Sequence, residues 1–390
     1  MASIGLLVLL AGAAHAASVS DILTELGHTK TSAWLAKNGH YQAAIFNTSL
    51  GPISFCSPSN KAWEALMPSA NNDTFIGETY MPLHIVRTRL DASKVAIAPA
   101  RSIYRSGLLP PATFGLNLGA GLPSPLVFQV NSSGSLLALQ TAFGGNITIT
   151  PSNQTSDDGV SIFSADMWFD VPGDILLASQ NANGADASDF GSVLQAASPS
   201  GDLLVDIQSS KALTVLMPNN DALAPTKRML GSQPPALLTM LIKNHIINGT
   251  AVYSTQIEDN LEAVTAAGSA VTFHKAANGD LSVAIGTTAA VKIVKSDILG
   301  ENLVVHTIAG VLKSTTSDDG KAKDANKAYL DFDDSGKIPA YGEIDSKTPI
   351  ALSVASTKVT VIAASSATGG VSSLSASIAL VLVALACAVM

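Results

Sequence analysis

Cysteine is nearly missing from this chain: of 390 residues only Cys56 and Cys387 are cysteines, and the second lies in an apolar C-terminal tail. No disulfide framework can be built from them. Cys56 sits in the apolar run "ISFCSP" and reads as a buried residue rather than a nucleophile. Aromatic residues are scarce at 5% while hydrophobic residues reach 47%, so the core must come from Ala, Val, Leu and Ile rather than from stacked rings. Lys and Arg never run beyond two in a row, and 22 of them face 30 acids for a net charge of -8. The basic footprint of a nucleic-acid binder is therefore lacking. No G-x-S-x-G elbow occurs, nor any HxH, HxxxH or HExxH spacing that would aim two imidazoles at one metal. The expectation is a protein that is not an enzyme, with no catalytic residue, no cofactor and no metal.

Both ends are informative. "MASIGLLVLLAGAAHA" carries an apolar run from Ile4 to Gly12 and closes on Ala14-His15-Ala16, the pattern of a secretory signal peptide over 1–16. At the other end "SIALVLVALACAVM" is apolar but short of the ~20 residues needed to span a bilayer. Before it lie small residues at Ser365, Ser366 and Ala367 and a polar spacer to Ser377. This order matches a glycosylphosphatidylinositol (GPI) signal, with attachment at Ser365 and a propeptide over 366–390. Six N-x-S/T sequons, at Asn47, Asn72, Asn131, Asn146, Asn153 and Asn248, point to a glycosylated exterior.

The interior repeats itself. "ISFCSPSNKAWE" (53–64) and "LTVLMPNNDALA" (213–224) keep Pro58 with Pro218 and Asn60 with Asn220. About twenty residues on, "MPLHIV" faces "IKNHII" and sets His84 against His245; near each unit's end "GVSIFSADMWF" lies over "NLVVHTIAGVL". The first pair reads as strand, Pro turn and capped helix, and "NLVVHTIAGVL" as a closing strand. "VSDILTEL" and "ASDFGSVLQAA" read as opening helices capped near Ser20-Asp21 and Ser188-Asp189. Asn278-Gly279 marks a hairpin, and the Pro- and Gly-dense stretch 92–125 reads as an irregular loop.

On these three paired blocks, the chain resembles a tandem fasciclin-domain protein. The resemblance implies an α+β fold of two tandem domains, each a twisted β-wedge or sandwich with short flanking helices. They are placed at 18–172 and 173–316. It implies structural roles for Pro58, Asn60, His84, Pro218, Asn220, His245 and His306. It also points to an adhesion motif in "KSDIL" at Asp297, Ile298 and Leu299, with "TSDDG" at the matching place in the first unit. The function implied is a glycosylated, GPI-anchored adhesion or surface-organising protein. It would sit on the outer face of the plasma membrane or in the cell wall. Its partner would be an extracellular protein or polysaccharide of matrix or wall, or a second copy of itself; it would touch membrane through the lipid anchor only.

Residues 317–365 read as an acidic, then Ser/Thr/Ala-rich, linker or stalk, because eight acids and five lysines fall between Ser317 and Lys347. "DFDDSG" within it opens like a calcium loop, yet Gly342 stands where the closing Glu belongs and Pro339 intrudes, so it reads as solvated linker. The competing functional reading is a secreted enzyme or small-ligand carrier with a cleft between the domains near His245 or His306.

Overall fold

A computed structural model describes residues 17–352, apart from 50, 67–71, 111–115, 140–144, 181–185, 226, 231 and 315. The signal peptide expected over 1–16, Ser365 and the apolar tail lie outside the described residues. Among the described residues, no helix is long and apolar enough to cross a membrane.

The fold is α+β, and its two sheets repeat one topology. The first uses β1 (Ile53–Pro58), β2 (Ile85–Val86), β3 (Ser102–Arg105), β4 (Pro125–Val130), β5 (Leu136–Leu139), β6 (Asn146–Thr155) and β7 (Val160–Ala165), in the order β3-β4-β5-β6-β7-β1-β2. The second uses β8 (Leu213–Pro218), β9 (Ile246–Asn248), β10 (Leu261–Val264), β11 (Ala270–Lys275), β12 (Leu281–Ile285), β13 (Val291–Leu299) and β14 (Leu303–Ile308), in the order β10-β11-β12-β13-β14-β8-β9. Position for position the two orders are identical. An eighth strand, β15 (Glu343–Ile344), adds to the first sheet beside β3.

Within each unit the first and last repeated blocks are neighbours. β1 runs parallel to β7 from Ile53↔Val160 to Pro58↔Ala165, and β8 runs parallel to β14 from Leu213↔Leu303 to Pro218↔Ile308. Both β1 and β8 are buried at every residue. That is why they read as continuous apolar runs without alternation: each is covered on both faces. The hairpin at Asn278-Gly279 is present, joining β11 to β12 with Gly279 at φ +86°.

Short helices pack against one face of the repeated strand in each unit, beside Ile53 and Phe55 of β1 and beside Leu213, Val215 and Met217 of β8. The first unit carries α1 (Val19–Glu25), α2 (Thr29–Lys37), α3 (Gly39–Ile45), α4 (Asn60–Ala65), and α5 (Asp73–Phe75) and α6 (Met81–Leu83) around a π-helical stretch at Ile76–Tyr80. The second carries α7 (Ile175–Gln180), α8 (Ser188–Ala197), α9 (Asp202–Ser209), α10 (Asn220–Leu223), α11 (Lys227–Leu230) and α12 (Pro235–Asn244). The first cap sits two residues earlier than expected: Ser18 caps α1 and Asp21 closes a capping box as its N3 residue. Asn219 caps α10 by accepting the Ala222 N–H at 2.9 Å, and Ser59 does the same for α4.

Three expectations are corrected. The counterpart of α8 is α2, not α1, because the repeated asparagines bind these two: Asn60 Oδ1 accepts the Lys30 N–H and Asn220 Oδ1 accepts the Asp189 N–H. The supposed irregular loop 92–125 contains β3, whose four residues are all buried and so show no alternation. The segment 317–347 is not a solvated linker. It forms α13 (Asp319–Asp333), with Ala325, Tyr329, Phe332 and Asp333 buried, followed by β15 and by buried Ala351 and Leu352. Its charges lie on the outer face of an amphipathic helix, so composition alone masked the apolar stripe. "DFDDSG" is thereby the end of a helix rather than a loop, with Asp331 paired to Lys327 on the surface.

Candidate functional site

The repeated histidines come first, since they are the residues most able to do chemistry. His84 lies at the end of α6 and His245 at the end of α12, and both are fully buried. Each bridges main chain to main chain. His84 Nδ1 meets the Cys56 carbonyl at 2.5 Å while Nε2 accepts the Phe169 N–H at 3.0 Å. His245 Nδ1 meets the Leu241 carbonyl at 2.8 Å while Nε2 accepts the Leu312 N–H at 2.9 Å. Phe169 and Leu312 occupy corresponding places just past β7 and β14, so the imidazole fixes where the chain leaves the closing strand. Burial pushes His84 down to about 3 and His245 to about 4, so both rings are neutral near pH 7.

His306, in the middle of β14, is also fully buried; its Nε2 meets the Val252 carbonyl at 2.7 Å, and burial lowers its pKa. Among the described residues no cleft opens onto His245 or His306: both are fully buried, and their hydrogen bonds run to main chain. Pro58 and Pro218 end their strands, and Asn60 and Asn220 hold helix to helix, Asn220 Nδ2 also donating to Ser188 Oγ. Cys56 is buried and free, and burial raises its thiol pKa. These residues hold the fold.

"KSDIL" lies on β13, where the pairing with β14 slips between Lys295 and Ile298. Asp297 sits at that bulge with φ +57°, a conformation that Asp and Asn tolerate better than other side chains. Asp297 and Ile298 are both 0% exposed and Leu299 is 7% exposed. The motif expected at Asp297, Ile298 and Leu299 therefore lies buried in this structure. Asp297 instead accepts the Ser254 N–H at 2.8 Å and the Ser254 hydroxyl, and pairs with Arg101 of the first unit at 3.5 Å. The Arg101 guanidinium also donates to the Ser296 carbonyl.

The matching bulge in the first unit is not "TSDDG" but the slip in β6 between Pro151 and Gln154, where Asn153 has φ +59°. One bulge thus points outward with an exposed sequon, and its counterpart is sealed between the units.

The seam sealed by Asp297 gathers residues that no motif marked. Ile103 and Val127 of the first unit, Tyr253, Leu299 and Val304 of the second, and Ile344 of β15 form one buried cluster. Beside it Arg105, Tyr253, Gln256 and Asp333 line a cavity of about 20 Å³. Arg105 and Asp333 are 3% and 2% exposed, and burial pushes Asp333 up to about 7, with Asp334 adding to the shift and Arg105 opposing it. A second cavity, of about 30 Å³, has Leu83, Phe169 and Leu299 around the Asp170 carboxyl. Ligand pockets usually offer ~300–1,000 Å³, so these are packing defects at a joint rather than substrate sites. The only sequence hint of the seam was two arginines four apart, Arg101 and Arg105, in a chain poor in basic residues. Among the described residues, no group of three or more His, Cys, Asp or Glu is placed to hold a metal ion.

With the geometry of the second unit laid out, its sequence can be set beside known families. Residues 186–314 match the family model described as Fasciclin domain. This span is similar to a fasciclin domain. It runs from just ahead of α8 to just past β14, so it holds Pro218, Asn220, His245, Asp297 and His306 together. No curated protein sequence matches the chain. Among solved structures, the chain is similar to a FAS1 domain pair from the insect cell adhesion molecule fasciclin I. The match has 15% identity and a TM-score of 0.35, and covers 74% of this chain and 98% of that one. Within this span, the phrase "LTVLMPNNDALA" supplies strand β8, the turn and the Asn219 cap of α10.

Proposed function

We propose that this protein is a glycosylated, GPI-anchored cell-surface protein that mediates adhesion or organises the surface through two fasciclin-type units. The observation that carries the reading is the fasciclin domain at 186–314, a domain named for cell adhesion proteins, together with a first unit that repeats its strand order. Further support comes from the two ends of the chain and from the sequons. Asn47, Asn72, Asn146 and Asn153 are exposed and Asn131 is half-buried in a turn, all on the first unit. The partner is an extracellular protein or polysaccharide, or a second copy of the chain. Contact runs through exposed loops and edges rather than through the buried "KSDIL". Many weak contacts become effective when an anchor clusters them, since linking sites raises effective concentration without new contacts.

The test is a cell-aggregation assay on cells displaying the full chain, before and after treatment with a phospholipase that cleaves GPI. Release should shed the protein and abolish aggregation. If the protein stays on the cells, the anchor is wrong; if it is shed while aggregation persists, the adhesive role is wrong.

A further inference from the structure

The segment 319–352 belongs to neither unit alone. α13 completes the core of the second unit: Ala325, Tyr329 and Phe332, with Ala351 and Leu352 further on, pack into the cluster that holds Val271, Phe273 and Val283. The Tyr329 hydroxyl accepts the outward N–H of Val264 on edge strand β10 at 3.0 Å. The chain then crosses the seam and pairs with the first unit, Glu343↔Tyr104 and Ile344↔Ile103. There Arg105 N–H donates to the Gly342 carbonyl at 3.1 Å, and Gly342 N–H donates to the Arg87 carbonyl at 3.0 Å. The Arg87 guanidinium also lies over the Tyr341 ring, 5.1 Å from its centre.

Ile344 is the meeting point. Its strand pairs with the first unit, its carbonyl accepts the hydroxyl of Thr255 from the second unit at 2.6 Å, and its side chain, 1% exposed, fills the cluster to which both units contribute. β3 and β10 are corresponding edges in the two sheets. One segment therefore covers the same edge twice, with a strand in one unit and a tyrosine hydroxyl in the other, as unpaired edges require.

We propose that residues 319–352 are an intramolecular staple that makes the two units one mechanical body, with Ile344 as its key. Among the described residues, the direct contacts between units combine polar links, Arg101 with Ser296 and Asp297, Asn117 N–H to the Glu301 carbonyl and Ala212 N–H to the Asn117 carbonyl, with apolar packing of Ile103 and Val127 against Tyr253, Leu299 and Val304. Joints of this kind permit relative motion unless apolar burial locks them. The staple adds Ile344 to that burial and ties β3 of the first unit to α13 packed on the second. This goes beyond the adhesion reading and stands without it.

The experiment compares the full chain with Ile344→Asp and Ile344→Ala by calorimetry and by hydrogen exchange read on peptides 102–106 and 261–265. The parent should melt in one transition. Ile344→Asp should split it into two and speed exchange in 102–106 at least tenfold, while 261–265 stays protected because Tyr329 still sits on β10. Ile344→Ala should move exchange the same way, to a smaller extent. A single unaltered transition with unchanged exchange in 102–106 overturns the proposal. So does an equal rise in both peptides with Ile344→Ala, since that would make Ile344 ordinary core of one cooperative fold.

Discussion

A neutral imidazole holding two stretches of main chain is expensive to replace, because an alanine leaves both a carbonyl and an N–H without a partner in the core. At His245 these are the Leu241 carbonyl and the Leu312 N–H. The expected cost of His245→Ala is about 2–4 kcal/mol, combining unsatisfied polar groups with a cavity, read from urea denaturation. The pH dependence follows from the downward shift. A histidine at about 4 in the fold and near 6.5 unfolded gives stability that is present above pH ~6.5 and lost as pH falls toward 4. His245→Ala should therefore weaken the protein at pH 7 and flatten its loss of stability between pH 6.5 and 4. An acid limb as steep as the parent's would contradict the buried neutral ring.

At the scale of elements, the same device serves opposite ends in the two units. The β6 bulge leaves Asn153 exposed within a sequon, whereas the β13 bulge buries Asp297 under Arg101. The Asn248 sequon is the odd one among the six. It lies on β9, paired with Leu213; Thr250 is 2% exposed, and Gly249 is so close to α13 that an added Cβ would stand 2.5 Å from Asn326 Oδ1. Glycopeptide mass spectrometry should find glycan on Asn47, Asn72, Asn146 and Asn153, and the Asn248 peptide bare. An occupied Asn248 would mean that α13 does not lie on β9 in the cell. Sequence pattern found β1, β8 and the β11–β12 hairpin, because continuous apolar runs and Asn-Gly are local signals. It missed β3 and α13, because β3 is buried on both faces within a Pro- and Gly-dense stretch and α13 hides a narrow apolar stripe among charges.

Across the whole molecule, the joint is electrostatically unfinished. Asp333 from α13 is buried beside Arg105 and Tyr253, burial lowers the pKa of Arg105, and it pushes Tyr253 up to about 12. Asp333 at about 7 in the fold against about 3.9 unfolded gives stability that is full below pH ~3.9 and lost as pH rises through 7. Asp333→Asn keeps the shape and removes the charge, so it should raise the melting temperature at pH 7.5 by a few degrees and change it little at pH 4. A fall at pH 7.5 would show that the Arg105 pair outweighs the burial cost.

Taken alone, the sequence determined that the chain is duplicated, that its core is aliphatic and that its repeated phrases are strand, turn and cap. Those features depend on neighbours within a few residues or on comparison of the chain with itself. The tertiary structure alone decided that Asp297 is sealed, that α2 answers α8, and that residues 319–352 bind both units through Ile344. Burial and pairing between segments up to about 240 residues apart leave no periodicity in the string, since each partner is locally ordinary and only their contact gives them a role.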